Sequence, residues 1–126
     1  MNLIAADPLV TRRFYELLGF TFRAISTPGH PDAAYLSTSP GPGLAIHSVA
    51  FARWWDPSTP GVCRACATVF DLNAHNLDAL DAACAVLASE GFTFAEEPRD
   101  MEFGERYAIV LDPDGRRVGL RARLHH

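Results

Sequence analysis

One tetrapeptide occurs twice in this chain of 126 residues: Gly19-Phe20-Thr21-Phe22 returns as Gly91-Phe92-Thr93-Phe94. Each copy closes a helical pattern and opens an extended one. Before the first, Asp7 is placed to cap a helix, and Pro8 sits at the first helical position, where its missing N–H costs nothing. Val10, Phe14, Leu17 and Leu18 follow at helical spacing, and Gly19 is the left-handed stop. Before the second, Asn73 to Asn76 is a polar cap. Leu77, Leu80, Cys84, Leu87 and Ala88 form an apolar stripe that Gly91 ends.

The same grammar surrounds both copies. Asn2 to Ala6 reads as a strand ahead of the first helix. Extended runs follow it from Phe20 to Thr27, Ala33 to Thr38 and Leu44 to Ala52, with turns at Pro28–Asp32 and Pro40–Gly43. In the second half, Val62 to Phe70 is a strand. After the helix, Thr93 to Glu97 is extended and Pro98 to Gly104 is loop. Strand, helix, strand, strand, strand written twice indicates an internal repeat. The expected fold is α+β, a single domain of two βαβββ modules forming a curved mixed sheet around a cavity. The modules span about 1–52 and 62–124, joined by a linker at 53–61.

The last two strands meet at the clearest turn in the chain, Asp112-Pro113-Asp114-Gly115. Asp112 opens it, Pro113 supplies the fixed angle its second position needs, and Gly115 takes a conformation other residues avoid. Arg12-Arg13-Phe14-Tyr15-Glu16-Leu17-Leu18-Gly19-Phe20 resembles the N-terminal helix signature of the vicinal-oxygen-chelate superfamily, the glyoxalase, bleomycin-resistance and extradiol dioxygenase group. Ala88-Ser89-Glu90-Gly91-Phe92 resembles its second helix end, and Phe103-Gly104 with Asp112–Gly115 its closing hairpin. The resemblance implies paired βαβββ modules and commonly a homodimer.

Metal-dependent members hold a divalent ion with a His on the first strand, a His on the first strand of the second module, and a Glu on the last strand. By that resemblance the first position falls at Ile4 and the second at Arg64, Ala65 or Cys66. The third, seven residues after Asp112, is Gly119. His47 lies near the place of a further carboxylate used by glyoxalases. Catalytic metal sites need about three protein ligands plus open positions. No metal and no cofactor is therefore expected. His30 and His75 read as surface loop histidines, and the clustered carboxylates Glu96, Glu97, Asp100, Glu102 and Glu105 as solvated. Cys63-Arg64-Ala65-Cys66 has metal-like spacing but lies in an extended run whose faces alternate, so these cysteines read as packing residues.

Composition narrows the function further. The net charge of −4 leaves no basic footprint for nucleic acid. The apolar runs are far shorter than the ~20 residues of a membrane helix. The N-terminal residues lack a charged and apolar leader, so the expected location is the cytoplasm. All 11 basic residues are arginine, which genome composition explains as well as function does. His125 and His126 read as the remnant of an expression tag.

A metal-free cavity can still bind. The only tryptophans, Trp54 and Trp55, sit together in the linker. His47 and Phe51 share one face of a strand, and Tyr35 can reach the same sheet. Met101, Phe103 and Tyr107 flank the loop into the closing hairpin. These eight are the expected ligand-binding residues, with Arg53, Asp56 and Arg106 as nearby charges. The function they imply is sequestration, without reaction, of a bulky, partly aromatic natural product, as bleomycin-resistance proteins do. One alternative is a metal-free isomerase or cyclase of a polyketide-like substrate, with His47 or Glu102 as general base. Others are a metal-dependent lyase or dioxygenase, should the ligand positions be misplaced, and an accessory subunit whose aromatic patch binds another protein.

Overall fold

Both glycines of the repeated tetrapeptide do the same job. The N–H of Gly19 donates to Glu16 O at 3.0 Å and that of Phe20 to Tyr15 O at 3.1 Å; Gly91 donates to Ala88 O at 3.1 Å and Phe92 to Leu87 O at 3.0 Å. This paired bonding closes a helix only if the glycine has positive φ, and the values are 97° and 88°. The repeat is therefore a helix stop used twice.

The computed structural model describes residues 1–39, 43–62 and 69–124. Cys63, Arg64, Ala65 and Cys66 lie outside the described residues, as do Pro40, Gly41, Pro42, His125 and His126. The elements run β1 (Asn2–Ala5), α1 (Pro8–Leu17), β2 (Phe22–Ser26), β3 (Ala33–Ser37), β4 (Ala45–Ser48), α2 (Val49–Trp55), β5 (Val69–Asn73), α3 (Leu77–Ser89), β6 (Phe94–Asp100), β7 (Glu105–Leu111) and β8 (Arg117–Arg123). The protein is α+β, with three helices and two four-stranded sheets of order β1-β4-β3-β2 and β5-β8-β7-β6 among the described residues. In each sheet the first strand of the βαβββ unit runs parallel to the last, and the other pairs are antiparallel. The chain divides into two compact units, Met1–Cys63 and Arg64–His126.

In the first unit, Asp7 accepts from Leu9 N at 3.1 Å and starts α1. The buried face of α1 is Thr11, Phe14 and Tyr15, whereas Val10, expected in the stripe, is 47% exposed. The face is turned toward the aromatic pair, whose rings pack edge to face at 4.9 Å. Phe14 and Tyr15 are fully buried, with Leu3, Ala5, Leu44 and Ile46 of the β1–β4 region.

In the second unit, Leu80, Cys84 and Leu87 of α3 are buried, as are Ala108, Val110, Val118, Leu120 and Ala122 of β7 and β8. Burial pushes the Cys84 thiol up to about 11, so it packs as a neutral apolar group. The expected loop from Pro98 to Gly104 is strand as far as Asp100. Pro98 lacks an N–H, but β6 is an edge strand and its register shifts between Glu96 and Arg99, which accommodates it.

The expected strand from Leu44 to Ala52 ends at Ser48. Ser48 Oγ accepts from Phe51 N at 2.9 Å and donates to Asp32 Oδ2 at 2.7 Å. That cap turns the chain into α2, and Asp56-Pro57 ends it. Trp54 and Trp55 therefore lie on the last turn of a helix rather than in an irregular linker. Arg53 ties down the following segment, donating to Thr59 O at 3.2 Å and Pro60 O at 3.4 Å.

Candidate ligand site

Alternation along β4 sends Ile46 and His47 to opposite faces. Ile46 is buried and pairs with Leu3 and Tyr35. The Arg12 guanidinium of α1 lies 5.1 Å from the Tyr35 ring centroid, so Tyr35 faces the helix layer. His47, paired with Ile4, looks the other way. Tyr35 is thus separated by the sheet from the histidine with which it was grouped.

On the His47 side the first unit gathers five rings. His47 lies 5.1 Å from Phe51 and 5.9 Å from Trp55, both edge to face. Phe51 lies 5.9 Å from Trp54. His47 and Phe51 do not share a strand face as expected; the Ser48 cap turns the chain from β4 into α2, which brings Phe51 against His47, and helical spacing sets Trp55 one turn beyond Phe51. The fifth ring, His30, went unrecognised in its Pro/Gly loop. It packs 5.1 Å from Phe51 and 5.5 Å from Trp54. Its Nδ1 accepts from Asp32 N at 3.0 Å, and Asp32 accepts from the Ser48 cap, so one hydrogen-bond chain fixes both loop and helix start. Ser48 and Asp32 were the available sequence signals.

Phe51 is 6% exposed, while Trp54 and Trp55 are 49% and 50% exposed. The cluster therefore has a buried keystone and two half-open indole faces. His47 Nδ1 is buried with no hydrogen-bond partner among the described residues. Burial holds the His47 imidazole below its ordinary pKa, so the neutral ring is favoured. In the unfolded chain His47 takes up a proton near 6.5, and in the folded chain only at lower pH. Folding stability should therefore fall as pH drops from about 6.5 through the folded-state value. His47→Gln should flatten that limb in urea midpoints measured between pH 7 and 5; an unchanged limb would assign it to other groups.

The three expected residues of the second unit are arranged differently. Met101 is half-buried in the β6–β7 turn, closed by Met101 N to Glu105 O at 2.8 Å. Phe103 is 61% exposed, and its ring lies 6.4 Å from that of Tyr107. Glu102 is an exposed turn residue. Tyr107 shares a sheet face with Gly119, Asp71 and Arg121, because β8 pairs Gly119 with Asp71 on β5 and Arg121 with Tyr107 on β7. The Tyr107 hydroxyl donates to Asp71 Oδ1 at 2.5 Å. That bond passes over Gly119, where a Cβ would overlap Asp71 Oδ1 and press on the Tyr107 hydroxyl. The space beside the Gly119 backbone is thus filled by Asp71 and Tyr107. Burial first, then the bond to Asp71, pushes the Tyr107 phenol up to about 12, keeping it a neutral donor.

The residues present do not fit the metal site that the fold family implies. The last-strand position is Gly119, and the first-strand position Ile4 is apolar. In the second unit Arg64, Ala65 and Cys66, read as standing where a His ligand would be needed, lie outside the described residues, and β5 is described from Val69. Its one carboxylate on the Gly119 face, Asp71, is engaged by Tyr107. No group of three or more His, Cys, Asp or Glu side chains is arranged to hold a metal among the described residues.

The charges expected near a ligand have other partners. Arg53 holds the segment after α2, and Asp56 accepts from Ser58 N at 3.2 Å. Arg106 joins Asp100 at 2.7 Å and Asp81 of α3 at 2.8 Å. A cavity of about 750 Å³ does open in the second unit, lined by Asn73, His75, Phe103, Glu105, Arg121 and Arg123 among others.

The sequence profile described as the glyoxalase/bleomycin resistance protein/dioxygenase superfamily matches residues 1–120. A glyoxalase-related enzyme from Fulvimarina pelagi superposes with a TM-score of 0.77 at 18% identity, covering 98% of this chain and 85% of that one. The hypothetical protein SA1046 from S. aureus gives 0.76 at 16% identity, covering 96% and 89%. TioX from Micromonospora sp. ML1 gives 0.66 at 16% identity, covering 98% and 96%. At these identities the likeness is one of fold. No curated protein sequence matches the chain. No described helix is long and apolar enough to cross a membrane.

Proposed function

The chain belongs to the glyoxalase/bleomycin resistance protein/dioxygenase superfamily, and on that premise we propose that it is a metal-independent binding protein that sequesters a bulky, partly aromatic natural product. It acts in the cytoplasm as a homodimer, lowering the free concentration of a toxic compound with no bond made or broken. The observation that carries this reading is the pair of half-exposed indoles, Trp54 and Trp55, on a helix whose buried residue Phe51 holds them. An exposed flat ring costs a soluble chain solvation and offers a planar ligand area plus stacking of roughly 0.5–1.5 kcal/mol per ring. Ile4 and Gly119, standing where a metal would need donors, support binding over metal-assisted chemistry.

Fluorescence provides the test. Both tryptophans lie on α2, so bleomycin or a planar polycyclic antibiotic should quench emission saturably and be recovered unchanged after denaturation. Trp54→Ala and Trp55→Ala should each weaken binding several-fold, at about 1 kcal/mol per ring. Recovery of an altered compound would reject sequestration. That outcome would favour a second reading, a metal-free isomerase or cyclase, for which the buried unpartnered Nδ1 of His47 is the specific support: a neutral imidazole is suited to act as general base.

A further inference from the structure

The Tyr107–Asp71 bond leaves an uneven set of polar groups on the open face of the second sheet. Tyr107 spends its only proton on Asp71 Oδ1. Asp71 Oδ2 stands 4.0 Å from Arg121 Nη1, too far for a direct hydrogen bond. Arg121 is held from its other side, with Nε donating to Asn73 Oδ1 at 2.8 Å and lying 3.6 Å from Glu105. Its position is therefore set, and the gap to Asp71 is built into the sheet. One oxygen about 2.8 Å from both atoms would bridge that gap at an angle near 90°. Such an oxygen must accept from a guanidinium and donate to a carboxylate at once. A hydroxyl does both; an ether or ketone oxygen can only accept.

We propose that Asp71, held by Tyr107 across Gly119 and facing Arg121, is the polar anchor of a ligand site that takes a hydroxyl group, beside the last-strand position where metal-dependent members of the family carry a metal-holding carboxylate. Gly119 belongs to the anchor because any side chain there would displace the Tyr107–Asp71 bond. The neighbouring cavity of about 750 Å³ meets the anchor at Arg121 and is lined by that residue's partners Asn73 and Glu105 and by the exposed ring of Phe103. Its volume falls in the range of small-molecule sites. The ligand class is thus a hydroxylated aromatic, its ring against Phe103 and its hydroxyl between Asp71 and Arg121. Tyr107 is a positioning residue: it holds Asp71 and does not itself touch the ligand. The proposal rests on the reading that this chain binds a small molecule, and extends that reading to the second unit.

Phenol, with toluene as the hydroxyl-free control, is the probe. In nitrogen–proton correlation spectra, the Arg121 Nε–H, protected by its bond to Asn73, reports the anchor. The two indole N–H signals report Trp54 and Trp55. Phenol should shift the Arg121 signal saturably and toluene should not. Asp71→Ala should abolish the shift, and Tyr107→Phe should weaken it by freeing the carboxylate to rotate. Equal shifts from both probes, a shift that survives Asp71→Ala, or no Arg121 shift across the titration would each overturn the anchor. Perturbation of the indole signals alone would also overturn it, while leaving the proposal for the tryptophan face standing.

Discussion

Replacing Asp112 with alanine is expected to destabilise the protein by about 3–5 kcal/mol, the summed cost of leaving two backbone N–H groups without their acceptor and losing one charge-assisted bond to Arg116. The Asp112 side chain is fully buried and holds the β7–β8 turn from inside. One carboxylate oxygen accepts from Asp114 N and Arg116 N, each at 2.9 Å, and the other from Arg116 Nη1 at 2.8 Å. Arg116 also reaches Asp114 at 3.1 Å, so a single guanidinium is shared by two buried carboxylates. Alanine would remove the acceptor for two backbone N–H groups and for Arg116 Nη1, leaving only the Arg116–Asp114 pair in the turn. The turn's backbone bonds, Gly115 N to Asp112 O and Asp112 N to Arg116 O, both at 2.9 Å, are too few to replace it. Asp112→Asn keeps an oxygen for the backbone but gives up the charge, so it should cost less, about 1–2 kcal/mol. Urea midpoints for the two variants should fall in that order. Equal and small losses would show that the backbone bonds suffice.

The second large effect is expected at Phe51. Phe51→Ala should cost about 3–5 kcal/mol, as for other buried aromatics cut to alanine. It should also release the tryptophans. α2 has seven residues, well below the length at which a helix persists alone, so its order depends on burial of Phe51 and Ala52 and on the Ser48 cap. Without the ring, His30, His47 and Trp54 each lose a neighbour 5.1–5.9 Å away. Tryptophan emission should shift to the red in the folded protein, and ligand quenching should drop. Phe51→Leu fills most of the volume and should cost under about 2 kcal/mol while keeping the emission near that of the parent. A leucine variant that behaves like the alanine one would mean that ring-to-ring packing, rather than volume, organises the cluster.

Local chemistry made much of the fold legible. Asp7-Pro8, Asn76, the two Gly-Phe helix stops and Asp112–Gly115 act through bonds to residues a few positions away, so their outcome is written in short stretches of chain. The order of elements in each βαβββ unit follows from them. Apolar alternation from Leu44 to Ala52 hides α2, although Ser48 followed by Ala50, Ala52 and Asp56-Pro57 carries cap, helix formers and stop. Alternation then placed Phe51 on the wrong kind of element, yet it met His47 all the same.

Other features needed the tertiary structure. Tyr35 and His47 looked alike as aromatic residues on neighbouring strands, and only register sent one toward α1 and the other away. His30 gained a role because a loop closed on a helix that the sequence did not reveal. The sequence by itself determined the two helix stops, the closing turn and the absence of a carboxylate at position 119, since each is a matter of residue identity or of bonds made within a turn. What fills the space beside Gly119 was decided by strand pairing alone. Asp71 comes from a strand far from the hairpin that carries Tyr107 and Gly119, and only the register of β5, β7 and β8 lets a phenol and a carboxylate meet over a missing side chain.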